Sequence, residues 1–240
     1  MGKDNFDVII LNGRPAAGKS EVIDYLKKVP VAERLRRFHI GEFEEFDDFP
    51  ILWERFEDDD IFSRYGRPRA HTTDDYYFKE HFFWNFLIER LNLAYNKTLR
   101  DDPKYHDTKT AIIEFSRGGE NGFEEAYGYL DPQILKRAGI VYIKVSYEES
   151  KRKNQRRANK DRPDSILQHS LPDEKMDFYY KTNDWEKLAG RDPRAIDVKG
   201  VRVPYSVLEN EPEVTDNAER LGQSLERVFA HLWTVQKGAR

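Results

Sequence analysis

Blocks of apolar residues separated by polar segments recur along the chain and predict a series of strands. Residues 6–11 are largely apolar and β-branched, which is typical of a strand buried on both faces of a parallel sheet. Similar blocks predict a third strand over residues 111–116 and a fourth over residues 140–145. Weaker patterns predict a second strand over residues 37–43 and a fifth over residues 200–207.

Helical patterns fill the intervals between these strands. Residues 18–28 predict a helix that Pro30 stops, and a helix of roughly 25 residues is predicted from Thr72 or Thr73 onward. The last helix is amphipathic and covers residues 216–235. Strands that alternate with helices predict an α/β fold, with a doubly wound parallel sheet of about five strands and helices on both faces.

Two segments stand out within this alternation. Residues 43–107 separate the second and third strands and predict a helical insertion. Residues 147–190 follow the fourth strand, and their part from Lys151 to Arg162 contains seven basic residues and one acidic residue. We therefore expect a single domain over residues 1–240, with a helical insertion and a basic segment that could act as a lid.

Composition narrows the possible partners and locations. The 40 Lys and Arg residues and the 44 Asp and Glu residues leave a net charge of −4, so we expect no nucleic-acid partner. The absence of cysteine excludes disulfides and thiolate sites, and it fits the cytoplasmic location that we predict. We expect no membrane span and no signal peptide, because neither apolar pattern occurs. The oligomeric state stays open.

A glycine-rich segment follows the first predicted strand and opens the first predicted helix. It matches the phosphate-binding pattern G-x-x-x-x-G-K-[ST] in full, through Gly13, Arg14, Pro15, Ala16, Ala17, Gly18, Lys19 and Ser20. Its backbone N–H groups and the helix N-terminus would bind phosphate oxygens, Lys19 would reach the β and γ phosphates, and Ser20 would bind Mg²⁺. A match to the pattern arises by chance in about 1% of chains of this length, and here the context is also correct. The segment predicts binding of ATP or a related triphosphate.

The end of the third strand offers a second group of candidates. Ligands of open α/β sheets lie beyond the carboxyl ends of the strands. Glu114 could hold Mg²⁺ through water or accept a proton, and Arg117 could bind a phosphate or carboxylate of the acceptor. The alternative is an ordinary charged strand end followed by a glycine turn.

The basic segment after the fourth strand could close over a triphosphate. Arg152 and Arg156 lie four residues apart and so share one helix face, from which they could neutralise charge during phosphoryl transfer. The alternative is a solvated helix in which Glu148 and Glu149 pair with these arginines.

The insertion carries candidates for the acceptor site. Asp47 and Asp48 could act as the base for an acceptor hydroxyl or hold it in place, and Arg67 and Arg69 could bind an anionic acceptor. A solvated charged surface is the alternative for each of them. Aromatic residues could stack on a base or sugar, although core packing is the alternative: Tyr76, Tyr77 and Trp84. The six histidines are scattered and predict no zinc site.

The order of these parts resembles the P-loop kinases of small molecules, which include nucleoside, nucleoside-monophosphate, shikimate and gluconate kinases. Residues 13–20, Glu114 with Arg117, and the basic segment carry the resemblance, although only residues 13–20 are specific. It implies a P-loop NTPase fold, an acceptor-binding insertion and lid arginines that contact the transferred phosphate. The D-G-F-P-R string of nucleoside-monophosphate kinases is absent. Glu-Phe-Ser-Arg stands in its place, nearer to the Glu-Arg pair of deoxynucleoside kinases.

These features together predict an ATP- and Mg²⁺-dependent phosphotransferase acting on a small hydroxyl or phosphate acceptor, with nucleosides and nucleotides among the candidates. The predicted catalytic residues are Lys19, Glu114, Arg117, Arg152 and Arg156, and the predicted metal ligands are Ser20 and Glu114. Two alternatives remain open: a nucleotide hydrolase or switch, and a kinase-like protein that binds ATP without consuming it.

Overall fold

The computed structural model describes residues 4–157 and 170–238. Within these residues, six strands form one sheet in the order β2-β3-β1-β4-β6-β5. Their bounds are β1 Val8–Gly13, β2 Glu42–Asp47, β3 Lys109–Phe115, β4 Ala138–Lys144, β5 Ala195–Val198 and β6 Val201–Glu209. All neighbours are parallel except β5, which runs antiparallel to β6 at one edge. The predicted parallel α/β sheet is therefore confirmed, with one antiparallel strand added.

Helices cover both faces of the sheet. In chain order they are α1 Lys19–Lys28, α2 Val31–Phe38, α3 Asp48–Arg64, α4 Phe82–Asp101, α5 Tyr105–Thr108, α6 Gly122–Tyr129, α7 Pro132–Leu135, α8 Tyr147–Arg157, α9 Asp173–Tyr180, α10 Trp185–Ala189 and α11 Ala218–Gly238. None of these helices is long and apolar enough to cross a membrane.

Alternation along β1 divides the apolar interior into two cores. Val8 and Ile10 face a core that α4, α6 and α10 complete, whereas Ile9 and Leu11 face a core that α1, α2 and α11 complete. Successive side chains of a strand point to opposite faces, so a strand that is apolar at every position must be covered on both sides. The doubly wound arrangement follows directly from this pattern.

The predicted bounds of the second strand are wrong. Residues 31–38 form α2, and the strand is β2, over residues 42–47 of the acidic run. This strand lies at the edge of the sheet and exposes Glu42, Glu44 and Glu45, while Phe46 is buried. A solvated edge strand tolerates charged side chains and therefore lacks the apolar signal on which the prediction depended.

The predicted start of the long insertion helix is also wrong. The helix begins at Phe82, and Thr72 instead forms an isolated antiparallel bridge with Phe78. An additional helix, α3, covers the acidic part of the insertion. The carboxylate of Asp59 accepts hydrogen bonds from the backbone N–H groups of Ala70, His71 and Thr72. These bonds hold the segment in a loop and keep it out of a helix.

Strand β5 was not predicted from the sequence. It has four residues and reaches β6 through a two-residue turn at Lys199 and Gly200, both of which have positive φ. A strand this short carries too few positions for alternation to be visible. The predicted fifth strand is β6.

Candidate active site

The β1–α1 loop has the geometry that its two glycines require. Gly18 has a φ of 118°, and a Cβ atom there would lie 2.8 Å from Asn210 Nδ2. A Cβ atom at Gly13 would lie 2.9 Å from the carbonyl oxygen of Ile143. A side chain at either position would force the loop or its neighbours to move. The backbone path of the loop therefore depends on both glycines.

Three neighbouring segments hold this loop from outside. Asn210, fully buried just after β6, donates to the carbonyl oxygen of Ala17 at 2.7 Å. Ser150 of α8 donates to the carbonyl oxygen of Pro15 at 2.7 Å, and Arg14 itself donates to the carbonyl oxygen of Tyr180. Contacts that no sequence motif predicts therefore fix the path of this loop. Asn210 gives only one sequence signal, its place directly after a strand.

Lys19 and Ser20 occupy the start of α1, one buried and one exposed. Lys19 is 7% exposed, and its Nζ lies 2.6 Å from Ser116 Oγ and 3.7 Å from Glu114 Oε1. The Ser20 side chain is open to the same cavity that Glu114 lines. The sequence-predicted lysine, serine and glutamate are therefore brought together beside the loop.

Asp47 and Glu114 lie side by side near the carboxyl ends of two neighbouring strands. They are partners in the parallel register of β2 and β3. Burial raises the pKa of Asp47 to about 8, and the charges of Glu114 and Asp48 act in the same direction. Burial also raises the pKa of Glu114, although the charge of Lys19 opposes this. Asp47 Oδ1 caps α3 by accepting from the N–H group of Phe49 at 3.0 Å.

Arg117 and Asp48 form a buried ion pair beside this cluster. Arg117 Nη1 lies 2.6 Å from Asp48 Oδ2, and Nη2 donates to the carbonyl oxygen of Trp84 at 3.0 Å. Burial raises the pKa of Asp48, while the charge of Arg117 opposes the shift. Arg117 pairs with Asp48 and Lys19 lies near Glu114, so Asp47 is the one of these three carboxyl groups without an ion-pair partner among the described residues. Among the described residues, Arg117 Nε has no hydrogen-bond partner.

The basic segment contributes to the site through a residue other than the two selected from the sequence. Arg157, at the end of α8, lines the cavity and contacts Glu21 of α1 at 2.7 Å. Arg152 pairs with Glu149 at 2.6 Å, and Arg156 is 63% exposed and lies 3.4 Å from Glu213. Neither of these two arginines lines the cavity. Residues 158–162, the rest of the basic run, lie outside the described residues.

The two arginines selected in the insertion are also away from the cavity lining. Arg67 is exposed, whereas Arg69 is held by Asp60 at 2.7 Å and by Thr72, and its guanidinium lies 4.7 Å from the centre of the Tyr76 ring. Arg69 therefore supports the loop that carries Tyr76. Neither Arg69 nor Arg67 lines the cavity, and their role in acceptor binding stays a prediction.

A single cavity of about 570 Å³ joins these groups. Residues of the β1–α1 loop line one end, and Asp47, Asp48 and Glu114 line the middle. The other end is mainly apolar and aromatic and includes Tyr76 and Trp84 but not Tyr77. The size is that of a small-molecule site, and the position beyond the carboxyl ends of the strands is where α/β sheets bind ligands.

The residues present fit Mg²⁺ in one specific way. Among the described residues, no group of three or more His, Asp or Glu side chains is arranged to hold a metal ion by itself. Mg²⁺ in phosphoryl-transfer sites is usually held by one or two protein oxygens together with phosphate oxygens and water. Ser20 and Glu114 line the same cavity and meet that requirement.

Comparisons with known proteins identify no reaction for this chain. No family model matches the chain, and no curated protein matches it significantly. Similar solved structures include a gluconokinase from Sinorhizobium meliloti 1021, with 15% identity over 96% of this chain and 98% of that chain at a TM-score of 0.45. A sugar kinase from Janibacter sp. HTCC2649 has 13% identity over 96% and 98% of the two chains at a TM-score of 0.40.

A third similar structure is a shikimate kinase from Acinetobacter baumannii in complex with shikimate, with 17% identity over 78% of each chain and a TM-score of 0.36. All three are kinases by name. At these identities and TM-scores, none of them assigns a substrate or an activity to this chain. The case for a reaction depends on the site.

Proposed function

We propose that this protein is an ATP- and Mg²⁺-dependent phosphotransferase that acts on a hydroxyl group of a small molecule. One observation carries the proposal. One cavity of about 570 Å³ is lined by the phosphate-binding loop, by Asp47 and by apolar and aromatic side chains, so it would accommodate the phosphates of a donor together with a small second substrate. A nucleotide hydrolase or switch needs only water at the γ phosphate and has no use for this space.

The donor end of the site is formed by residues 13–20. The loop amides and the N-terminus of α1 would bind the phosphate oxygens of ATP, and Lys19 would balance the charge of the β and γ phosphates. Ser20 would bind Mg²⁺ directly and Glu114 through water. The metal ion would supply charge neutralisation on the phosphates.

Asp47 is proposed as the base that activates the acceptor. The acceptor hydroxyl oxygen attacks the γ phosphorus while the bond to the β–γ bridging oxygen breaks, so ADP leaves and the hydroxyl proton passes to Asp47. A raised pKa suits this role because a base near neutrality both accepts and later releases the proton. Arg117, which lines the cavity, would orient the attacking group. Asp48 positions Arg117.

The contribution of the basic segment is proposed for Arg157 first. This residue already lines the cavity, and opening its contact with Glu21 would free it for the γ phosphate. The sequence-predicted pair, Arg152 and Arg156, would have to leave Glu149 and Glu213 before taking part. The cytoplasmic location stays a prediction.

The experiment is an assay of ADP release from Mg²⁺-ATP with and without acceptors. We expect release to rise strongly with a subset of hydroxylated small molecules and to stay low with none. Lys19→Ala should lower acceptor-dependent turnover by roughly 100- to 1,000-fold, because the variant lacks the positive charge that would neutralise the transferred phosphate. Lys27→Ala is the matched control, since Lys27 lies on the same helix, is half exposed and pairs with Glu45.

Equal release with every acceptor and with none would move the assignment to a hydrolase or switch. Binding of ATP without any release would identify a non-catalytic nucleotide-binding protein. Near-normal turnover in Lys19→Ala would contradict the proposed mechanism.

A further inference from the structure

The acceptor end of the cavity is walled by aromatic rings from separate segments. Phe56 of α3 contacts Tyr76 with ring centres 5.2 Å apart, and Trp84 of α4 contacts Phe78 at 5.0 Å and Tyr179 of α9 at 5.2 Å. All five rings line the cavity, and none of them is fully buried. Rings that served only as core would be closed against each other. These rings instead present faces and edges to an open space.

The charged groups of the cavity disfavour an anionic acceptor. The described lining residues include five carboxyl groups and four cations: Asp47, Asp48, Glu57, Asp60 and Glu114 beside Lys19, Arg117, Arg157 and Lys175. A carboxylate or phosphate brought into this surrounding would need a cation that is not already engaged. Burying an ion without such a partner is strongly unfavourable.

Each cation of the lining already contacts a group of the protein or belongs to the donor site. Arg117 is paired with Asp48 and Arg157 with Glu21. Lys175 donates to the carbonyl oxygen of Asp75 and lies over aromatic rings, 5.5 Å from the centre of Tyr76. Lys19 lies at the phosphate loop and belongs to the donor. Three of these four cations are therefore engaged by an acidic side chain or by the donor, and Lys175, which has no acidic ion-pair partner among the described residues, is held by backbone carbonyls and aromatic rings.

We infer that the acceptor is an uncharged hydroxylated molecule that carries an aromatic or heteroaromatic ring. This inference rests on the proposed function and names the substrate class of the same site. The ring lies among Phe56, Tyr76 and Trp84, and the hydroxyl group lies at Asp47. Nucleosides belong to this class, whereas sugar acids, sugar phosphates and nucleotides do not. Ring stacking supplies affinity without requiring a charge.

The first test is calorimetric titration of the protein loaded with ADP and Mg²⁺, which measures acceptor binding without turnover. The probes are matched pairs: each of several nucleosides and its 5′-monophosphate, and 3-pyridinemethanol and glycerol. Gluconate and shikimate are added as anionic hydroxy acids. We expect binding by at least one neutral ring compound, at least tenfold tighter than by its charged or ring-free counterpart. Tighter binding of the anionic compounds, or no binding by any neutral ring compound, would overturn the inference.

The second test is kinetic and uses the aromatic wall directly. Phe56→Ala should raise the KM for the neutral ring acceptor by about tenfold while kcat stays within about twofold, because stacking is lost and the reacting groups are retained. Phe56→Leu keeps most of the apolar volume and separates ring contact from folding. Tyr65→Ala is the matched control, since Tyr65 lies just after the same helix, is 76% exposed and does not line the cavity.

The outcomes also separate this inference from the proposed function. ADP release that needs Lys19 but no acceptor would overturn the phosphotransferase assignment, whatever the calorimetry gives. ADP release stimulated by gluconate or shikimate, and unaffected by Phe56→Ala, would leave the phosphotransferase intact and overturn the aromatic acceptor. An unchanged KM in Phe56→Ala with a folded protein would do the same.

Discussion

The two ends of the cavity are built on opposite principles. The phosphate end is a continuous segment, residues 13–20, whose shape depends on glycine conformation and on backbone N–H groups. The acceptor end is assembled from α3, the loop before α4, α4 itself and α9, through side chains alone. A backbone site tolerates little change, whereas a side-chain wall can be altered ring by ring. The comparison suggests that donor binding is fixed by the fold and that acceptor choice is adjustable.

The largest effect is expected where the two ends meet, at Asp47. Asp47→Asn should lower kcat by roughly 100-fold or more, because the amide cannot accept the hydroxyl proton. Asparagine still caps α3, and removal of one of three clustered carboxylates should stabilise the fold by about 1 kcal/mol, or 2 to 4 °C in Tm. Steady-state kinetics and thermal unfolding on the same preparation check both parts. Retained turnover would place the base elsewhere.

The pH dependence of turnover tests the same residue in the unsubstituted protein. Asp47 must be ionised to act as a base, and burial raises its pKa to about 8, so kcat/KM should increase as the pH rises through this region. The free energy of unfolding should change in the opposite direction and decrease as the pH rises. The raised folded-state pKa favours the protonated native form, so that contribution is lost as the pH rises from the unfolded value toward 8. Asp47→Asn should remove the part of the stability change that Asp47 contributes, while the raised pKa values of Asp48 and Glu114 leave theirs, and a flat kcat/KM profile would contradict the assignment.

Two glycines with positive φ test whether ATP binding depends on the backbone path of the loop. Gly18→Ala should weaken ATP binding by roughly 100-fold, since the new Cβ atom would meet Asn210 and the φ of 118° is unfavourable for alanine. Gly66 also has positive φ, but a Cβ atom there meets nothing within 4 Å. Gly66→Ala should therefore leave ATP binding unchanged. Nucleotide titration of both variants decides the matter, and equal losses would refute the close fit of the loop.

Asp59 tests how much the acceptor end depends on its supporting loop. Asp59→Ala should destabilise the protein by about 3 kcal/mol, because it leaves buried backbone N–H groups without partners. We expect a raised KM for the acceptor and unchanged ATP affinity at temperatures where the variant is folded. Asp58→Ala, at an exposed neighbour paired with Arg55, is the control. Loss of ATP affinity as large as the loss of acceptor affinity would show that the two ends are not independent.

The smallest expected effect distinguishes Arg157 from Arg156 in the basic segment. Arg157→Ala should lower kcat by about tenfold, equivalent to about 1.4 kcal/mol, because this arginine lines the cavity. Arg156→Ala should change kcat by less than about twofold, since an exposed ion pair contributes little. Steady-state rates at saturating ATP compare them. The reverse order would restore the role predicted for Arg156 from the sequence.

Sequence reasoning placed correctly those residues whose positions depend on neighbours in the chain. The positions of the loop over residues 13–20, Lys19 and Ser20 were predictable because they are fixed by a local turn and the start of one helix, whereas phosphate binding by this loop stays a prediction. Glu114 and Arg117 were predictable by position alone, as residues at the end of a buried strand. Their functional roles stay predictions, and the same is true of Arg152 and Arg156.

The sequence by itself therefore determined the loop between β1 and α1 and the two-sided burial of the sheet, since both depend on short-range patterns. Only the tertiary structure decided which arginine lines the cavity, which aspartate Arg117 leaves available, and that rings from α3, α4 and α9 share one wall. Spacing along a chain does not specify these contacts, because they depend on how distant helices pack and on which charges meet when they do. The placement of Asp47 beside Glu114 is the clearest case. It follows from the pairing of two strands more than 60 residues apart, which no local pattern encodes.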